Sequence, residues 1–282
     1  MMNLRLLMGL MRSVLIYFDP RLMRRSRRLY SGLLRPGDLV FDVGAHVGTR
    51  TRVMRRCGAR VVAFEPQPAF ARFLRRFLPG DVVLVEAALG PSEARAEMAL
   101  SSRHPTVSSL RSSLPVEAGA MPGFEHVRWD ARAEVHVTSL DRMIAEHGLP
   151  RYIKIDVEGF EPEVLSGLTQ PVPLISVEYL PGLPEVSQRA VGMIAALGDY
   201  EFNVVQGENA AFEWSEWRDL RDLRAWLAGR APGAGSGDIY ARLRDQGSRS
   251  RAAGEGTSSA PALATGSGDM TSMASRWIST DG

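Results

Sequence analysis

The chain has 282 residues, is 45% hydrophobic, carries a formal charge of +2 and contains one cysteine, Cys57. This suits one large or two small packed domains, excludes an internal disulfide framework and points to a reducing, cytoplasmic compartment. The near-neutral charge argues against a nucleic-acid binder, which needs a concentrated basic face, and no run reaches the ~20 apolar residues of a membrane span.

Residues 1–36 form a basic preface. Leu4, Leu7, Met8, Met11, Leu15 and Phe18 recur at helical spacing, with Arg5 and Arg12 off that stripe, and Arg21, Arg24, Arg25, Arg27 and Arg28 follow. The segment reads either as a helix packed on the main domain or as an interfacial helix that touches anionic lipid or a carrier surface. Without a small-residue cleavage site it is a poor signal peptide.

From Gly37 the pattern changes. "DLVFDVGAHVG", "ARVVAFEP" and "DVVLVEAALG" are short apolar runs, separated by the helical spacings of "TRTRVMRRCG" and "QPAFARFLRRFL". Such alternation marks βαβ units and a parallel sheet covered on both faces. Cys57 reads as packing. Residues 94–138 break the rhythm. "ARAEMALSS" and "AEVHVTSL" look like strands, and the polar stretch between them reads as a lid over the carboxyl edge of the sheet.

"SLDRMIAEHG" predicts a helix from a Ser139 cap to Gly148. "RYIKIDVEG" is the next strand, and "FEPEVLSGL" a short helix with Pro162 near its first turn. "PLISVEYL" is a strand ending at Glu178, "EVSQRAVGMIAALG" a helix, and "YEFNVV" a strand. "SEWRDLRDLRAWLAG" predicts a helix with Trp217, Leu220, Leu223, Trp226 and Leu227 as its stripe, and "DIYARL" closes the sheet. The main domain thus spans 37–246. The Gly-, Ser- and Ala-rich tail, 247–282, is expected to be disordered.

The glycine turn carries the first chemical signal. In "VFDVGAHVG" Asp42 ends a strand and Gly44 and Gly48 follow. Glycine lets the backbone turn tightly and a ligand approach closely, and the helix that starts near Thr49 offers free N–H groups. A dinucleotide site would need Gly-x-Gly-x-x-Gly. That spacing is missing, and Asp42 would repel a pyrophosphate but attract an ammonium.

Glu65 ends the second strand, where an acid accepts hydrogen bonds from ribose hydroxyls. S-adenosylmethionine fits this set: it has an amino-acid end, a ribose and a sulfonium, and no phosphate. Asp42 then faces its ammonium. The loop of Gly44, Ala45, His46 and Gly48 faces its methionine backbone, Glu65 its ribose, and Glu86, Ala87 and Ala88 the adenine.

"IKIDVEGFE" carries the second signal. Asp156 leaves the fourth strand at the same edge as Asp42, Glu65 and Glu178. Unpaired acids at one rim raise one another's pKa, which a sulfonium, a substrate hydroxyl or a metal would relieve. Asp156 is expected beside the acceptor hydroxyl, orienting it or taking its proton, with Glu158 in the same pocket and Glu161 at a helix start. A divalent metal on Asp156 and Glu158 is an alternative that is not favoured, because no His or Cys pair at ligand spacing supports it. His104, on the lid, is a candidate general base. His136 and His147 read as structural.

"FDVGAHVG", "AFEP", "EAALG", "VTSLDRMI" and above all "IKIDVEGFEPEVLSGL" resemble the FkbM family of S-adenosylmethionine-dependent methyltransferases, from about Leu39 to about Leu243. The resemblance implies an α/β, Rossmann-like class I methyltransferase sheet, mostly parallel and seven-stranded with an antiparallel last strand, and helices on both faces. It implies O-methylation of a hydroxyl on a small molecule, natural product or sugar (glycan). Carried over by position, Asp42, Gly44 and Gly48 belong to the cofactor loop, Glu65 to the ribose and Asp156 to the acid after the fourth strand. Ser109, in a Ser-Ser-Leu feature, belongs to cofactor or substrate contact. His46 stands where the family often has Asn. A nicotinamide-dependent oxidoreductase and a non-catalytic S-adenosylmethionine-binding scaffold remain as alternatives.

Overall fold

The computed structural model describes residues 4–117, 127–231 and 233–244. The tail at 247–282 and the 118–126 part of the expected lid lie outside them.

The preface folds as two helices, α1 (Leu4–Tyr17) and α2 (Pro20–Leu33). The break is local: Asp19 accepts the Arg21 N–H at 2.7 Å, and Pro20 starts the second helix. α1 packs on the domain through Leu10, Val14 and Tyr17. Of the stripe read from the sequence, Met8, Met11 and Leu15 point the other way, exposed at 65%, 56% and 77%, while Phe18 packs with the inner cluster.

The elements β1 (Leu39–Val43), α3 (Thr49–Arg56), β2 (Arg60–Phe64), α4 (Pro68–Phe77) and β3 (Val83–Val85) follow in βαβ order. After them come β4 (Ala88–Leu89), β5 (Ala94–Leu100), a 3-10 turn (Pro105–Val107), α5 (Leu114–Glu117) and β6 (Ala131–Thr138). The second half holds α6 (Leu140–His147), β7 (Tyr152–Ile155), α7 (Glu161–Leu165) and β8 (Leu174–Tyr179). It ends with α8 (Pro184–Leu197), β9 (Tyr200–Gln206), α9 (Leu220–Ala228) and β10 (Gly237–Leu243).

The main sheet has seven strands in the order β3-β2-β1-β7-β8-β10-β9. β3, β2, β1, β7 and β8 pair in parallel, and β10 runs antiparallel to both β8 and β9. This is the Rossmann-like arrangement the resemblance implies. The central strands read as continuous apolar runs because both faces are covered. Phe41, Ile153, Ile155 and Ile175 pack on one side against Val164, Leu165 and Ala190. Val40, Tyr152 and Tyr240 pack on the other against Tyr30, Val53 and Met54, with Cys57 at the edge of that layer. Each such fully buried side chain contributes roughly 1.5 to 3 kcal/mol.

The excursion makes a second sheet, β4-β6-β5, in which β5 and β6 are antiparallel and β4 joins β6 in parallel. The α9 expectation needs one correction. The helix begins at Leu220, because the Asp219 carboxylate accepts the Asp222 N–H and caps it there. Trp217 lies before it, against Phe212 at 5.2 Å and under the Arg242 guanidinium at 4.4 Å. No helix among the described residues is long and apolar enough to cross a membrane.

Candidate functional site

A cavity of about 710 Å³ opens at the carboxyl ends of β1, β2, β7 and β8. The β1 turn forms one wall. The Gly44 and Ala45 N–H groups both donate to the Phe64 carbonyl, at 3.1 and 3.0 Å, so the turn folds across the end of β2. Gly44 has a φ of +84°, and a Cβ there would stand 1.9 Å from the Asp156 carbonyl oxygen. Only glycine permits so close an approach of two strand exits. Gly48, at φ +76°, turns toward α4: a Cβ would meet Leu74 at 2.8 Å, and Gly48 does not line the cavity.

His46 lines the cavity in a left-handed conformation, φ +52°. Its ring packs between Tyr17 of α1, at 4.9 Å, and Phe70 of α4, at 4.3 Å. Burial lowers its pKa to about 3, so the ring is neutral. Its backbone N–H donates to Glu65 Oε2 at 2.8 Å, and the Gln67 N–H donates to Oε1 at 2.8 Å. Burial pushes Glu65 up to about 8 against the opposing pull of those two hydrogen bonds. Ala87 and Ala88 also line the cavity.

Besides Gly48, two sequence-predicted residues lie elsewhere. Asp42 is fully buried behind the wall, where its carboxylate accepts the Thr51 hydroxyl of α3, and it does not line the cavity. As the fourth residue of β1 it faces the α2–α3 layer, while the ligand-facing turn starts at Val43. Glu86 turns outward into an ion pair with Arg75 of α4, away from the adenine rim expected of it.

The "IKIDVEG" exit forms the opposite wall. Sequence reasoning passed over Lys154, which is 2% exposed and places Nζ 2.7 Å from Asp156 Oδ2. The register sets Lys154 directly beside Asp42. A lone cation inside a strand covered on both faces was itself the signal, since such a charge must be paired. Burial would raise the Asp156 pKa, but the Lys154 ammonium outweighs it and holds the carboxyl below its ordinary value. Burial works against the Lys154 charge, yet Asp156, Asp42 and Asp238 keep its pKa above the ordinary value.

Glu158, at φ +55°, and Glu178, at the end of β8, complete an acidic floor. Carboxylate oxygens of Asp156, Glu158 and Glu178 lie within 4.8 Å of one another. Burial, then the charges of Asp156 and Glu161, push Glu158 well up; burial, then Glu158, does the same to Glu178. Such a floor suits protons, a cation, or the oxygen ligation of a divalent ion. Glu161 is structural: it accepts the Val157 and Gly159 N–H groups at 3.1 and 3.2 Å and holds the turn.

Residues 104–110 cover the cavity. Ser109 donates to the Glu158 carbonyl at 3.0 Å, Gln67 Nε2 to the Pro105 carbonyl at 3.2 Å, and Trp129 Nε1 to the Val107 carbonyl at 3.0 Å. His104 lines the cavity from this cover. Tyr17, also missed, closes the wall from α1. Burial and the charges of Glu208 and Asp156 push its phenol pKa up. Nothing in the helical spacing of residues 1–18 distinguished it from a packing residue.

These groups predict a pH dependence. Glu65 at about 8 and Glu161 at about 7, with Glu158 and Glu178 also well above the ordinary carboxyl value, hold protons in the folded state that the unfolded chain has released. Stability therefore falls as pH rises through that range. His46 works in the opposite sense, but only below its ordinary value of 6.5. The Asp156–Lys154 pair is fully charged throughout. Through Glu65 and Glu161 alone the ligand-free protein should lose about 2 to 3 kcal/mol between pH ~6.5 and ~8.5, read as a melting midpoint lower by roughly 4 to 12 °C. A midpoint that rises over this interval would show that the acids are not held protonated.

The family model "Methyltransferase FkbM domain" matches residues 42–235. No curated protein sequence matches the chain. Among solved structures, it is similar to the O-methyltransferase from Bacillus cereus in complex with S-adenosylhomocysteine, at 12% identity over 86% of this chain and 92% of that one, with a TM-score of 0.44. It is also similar to precorrin-6y C5,15-methyltransferase from Geobacter metallireducens GS-15, at 14% identity over 78% of this chain and 87% of that one, with a TM-score of 0.41.

Proposed function

Because the chain belongs to the FkbM methyltransferase family, we propose that it methylates a hydroxyl group of a small molecule, natural product or sugar. When bound, S-adenosylmethionine supplies an electrophilic methyl group on a sulfonium. The observation that carries this reading is the contact of Gly44 with the Asp156 carbonyl, which brings the glycine turn and the acidic floor to one cavity. Family membership removes the nicotinamide-dependent alternative.

The residues fit such a cofactor. The Gly44–Val47 turn gives a Cβ-free approach, and Glu65 lies at the end of β2 beside the turn. Asp156 is ionised and puts negative charge where a cation would sit, and a bound cation would draw protons off Glu158 and Glu178 beside it. Asp156, kept ionised by Lys154, orients the acceptor hydroxyl. Glu158, with the higher proton affinity, is the better acceptor of its proton once a bound cation has displaced the proton it carries in the ligand-free fold. His104 faces the same cavity from the cover. Alignment of acceptor oxygen with the methyl supplies much of the rate, and the tethered cover holds that geometry while excluding water.

Two measurements test this. Methyl incorporation from labelled cofactor into a panel of sugars and natural-product alcohols should find an O-methylated product. Tight S-adenosylhomocysteine binding with no transfer to any hydroxyl would instead favour the non-catalytic scaffold. Glu65→Ala should weaken S-adenosylhomocysteine binding by about 1 to 3 kcal/mol, the usual loss for charge-assisted hydrogen bonds. Calorimetry reads it, and unchanged affinity would remove Glu65 from the ribose.

A further inference from the structure

We propose that α1 and α2 dock the protein on an anionic lipid surface. The outward side of α1 presents Met8, Met11 and Leu15 at 65%, 56% and 77% exposure, with Ile16 and Arg12 along the same face. Three large apolar side chains grouped on one helix face mark an interaction site rather than ordinary surface.

The second observation is charge. Residues 4–33 contain seven arginines and a single acid, Asp19, in a chain whose formal net charge is only +2. Asp19 is engaged in capping α2. Arg21, Arg24, Arg25, Arg27 and Arg28 are all exposed, because α2 buries its other side, Leu22, Ser26 and Tyr30, against the domain. The basic excess is thus concentrated on the element joined directly to the apolar face.

This pairing selects the occupant. A second copy of the chain would bring two arginine arrays together, which electrostatics opposes. A neutral apolar partner would leave the arginines unused. An anionic bilayer satisfies both: apolar side chains enter the headgroup boundary while arginines meet phosphates and carboxylates. Neither helix is long and apolar enough to span, so the pair lies on the surface. The inner side of α1 carries Tyr17 into the cavity wall, so docking sets the cavity beside the lipid.

The test is co-sedimentation of the full chain with phosphatidylcholine vesicles, with and without phosphatidylglycerol. At about 0.15 M salt, binding to the anionic vesicles should be at least about tenfold tighter than to neutral ones, and it should weaken as salt rises. Met11→Asp with Leu15→Asp should lower it about tenfold. So should Arg25→Gln with Arg27→Gln and Arg28→Gln, which alters exposed side chains only and keeps the test open if the aspartate pair fails to fold. Both sets should retain S-adenosylhomocysteine affinity. Equal binding to both vesicle types, no binding, or variants that bind like the parent would overturn the proposal. So would a concentration-dependent dimer that Leu15→Asp dissolves, since a second copy would then cover the face.

Discussion

Gly44→Ala should abolish cofactor binding while leaving a folded protein. The new methyl group would stand 1.9 Å from the Asp156 carbonyl oxygen, far inside contact distance. Neither partner has room to yield. Asp156 donates its own N–H to the Val43 carbonyl at 3.1 Å, and β1 and β7 are in register up to Val43 and Ile155. The φ of +84° adds about 1 kcal/mol of left-handed strain to a non-glycine residue. The turn must therefore lift off the acidic floor, moving the wall that Glu65 braces through His46.

S-adenosylhomocysteine affinity should drop at least about 100-fold, or about 2.7 kcal/mol, with a melting midpoint lower by several degrees. Gly37→Ala is the control. Gly37 has a similar φ, +90°, but its Cβ would meet nothing within 4 Å. It bears the strain without the clash and should bind like the parent. Equal binding by both variants would mean that the turn does not cradle the cofactor.

Asp156→Asn should lower kcat by about 10²-fold or more with a smaller effect on cofactor affinity. Asparagine keeps the shape and one acceptor oxygen but removes the charge. Lys154, 2.7 Å away and buried, then keeps only Asp42 and Asp238 as nearby counter-charges. Those two acids keep the ammonium largely compensated, so cofactor affinity changes little, while the carboxylate that orients the acceptor hydroxyl is gone. The loss should appear in single-turnover methyl transfer at saturating cofactor.

Rescue by saturating cofactor would make Asp156 a binding residue only. Rescue by added Mg²⁺, with inhibition of the parent by a chelator, would mean that Asp156, Glu158 and Glu178 hold an ion. Parental turnover in the variant would remove Asp156 from the chemistry altogether.

The strand exits were legible because buried parallel strands are continuous apolar runs, and an acid or glycine that ends one stands out. The direction of β10 was not: periodicity carries no strand polarity, and only the family resemblance implied it. Asp42 and Glu86 show a finer limit. Successive strand residues face opposite ways, so one position separates a cavity wall from the layer behind it. The sequence marks the turn without saying which residue begins it.

Lys154 was visible as a charge in an apolar strand, but its partner two residues on was read only as a ligand for something else. In α1 the helical period revealed a stripe and not that Met8, Met11 and Leu15 on it face outward. Tyr17, on the inner side, became a site residue only through tertiary contact with His46.

The cover over the cavity has a further consequence. Its tethers end on main-chain carbonyls at Pro105, Val107 and Glu158, and every residue type supplies a carbonyl. Side chains at Thr106 and Val107, which line the cavity, can therefore be exchanged without unfastening the cover, whereas Leu110 also packs against the core of the second sheet. A combinatorial library at Thr106 and Val107 would vary the shape of the cavity on a constant frame. Cavity shape and the fastening of the cover are here encoded by separate atoms of the same segment, so the shape can drift or be engineered without first re-evolving the fold.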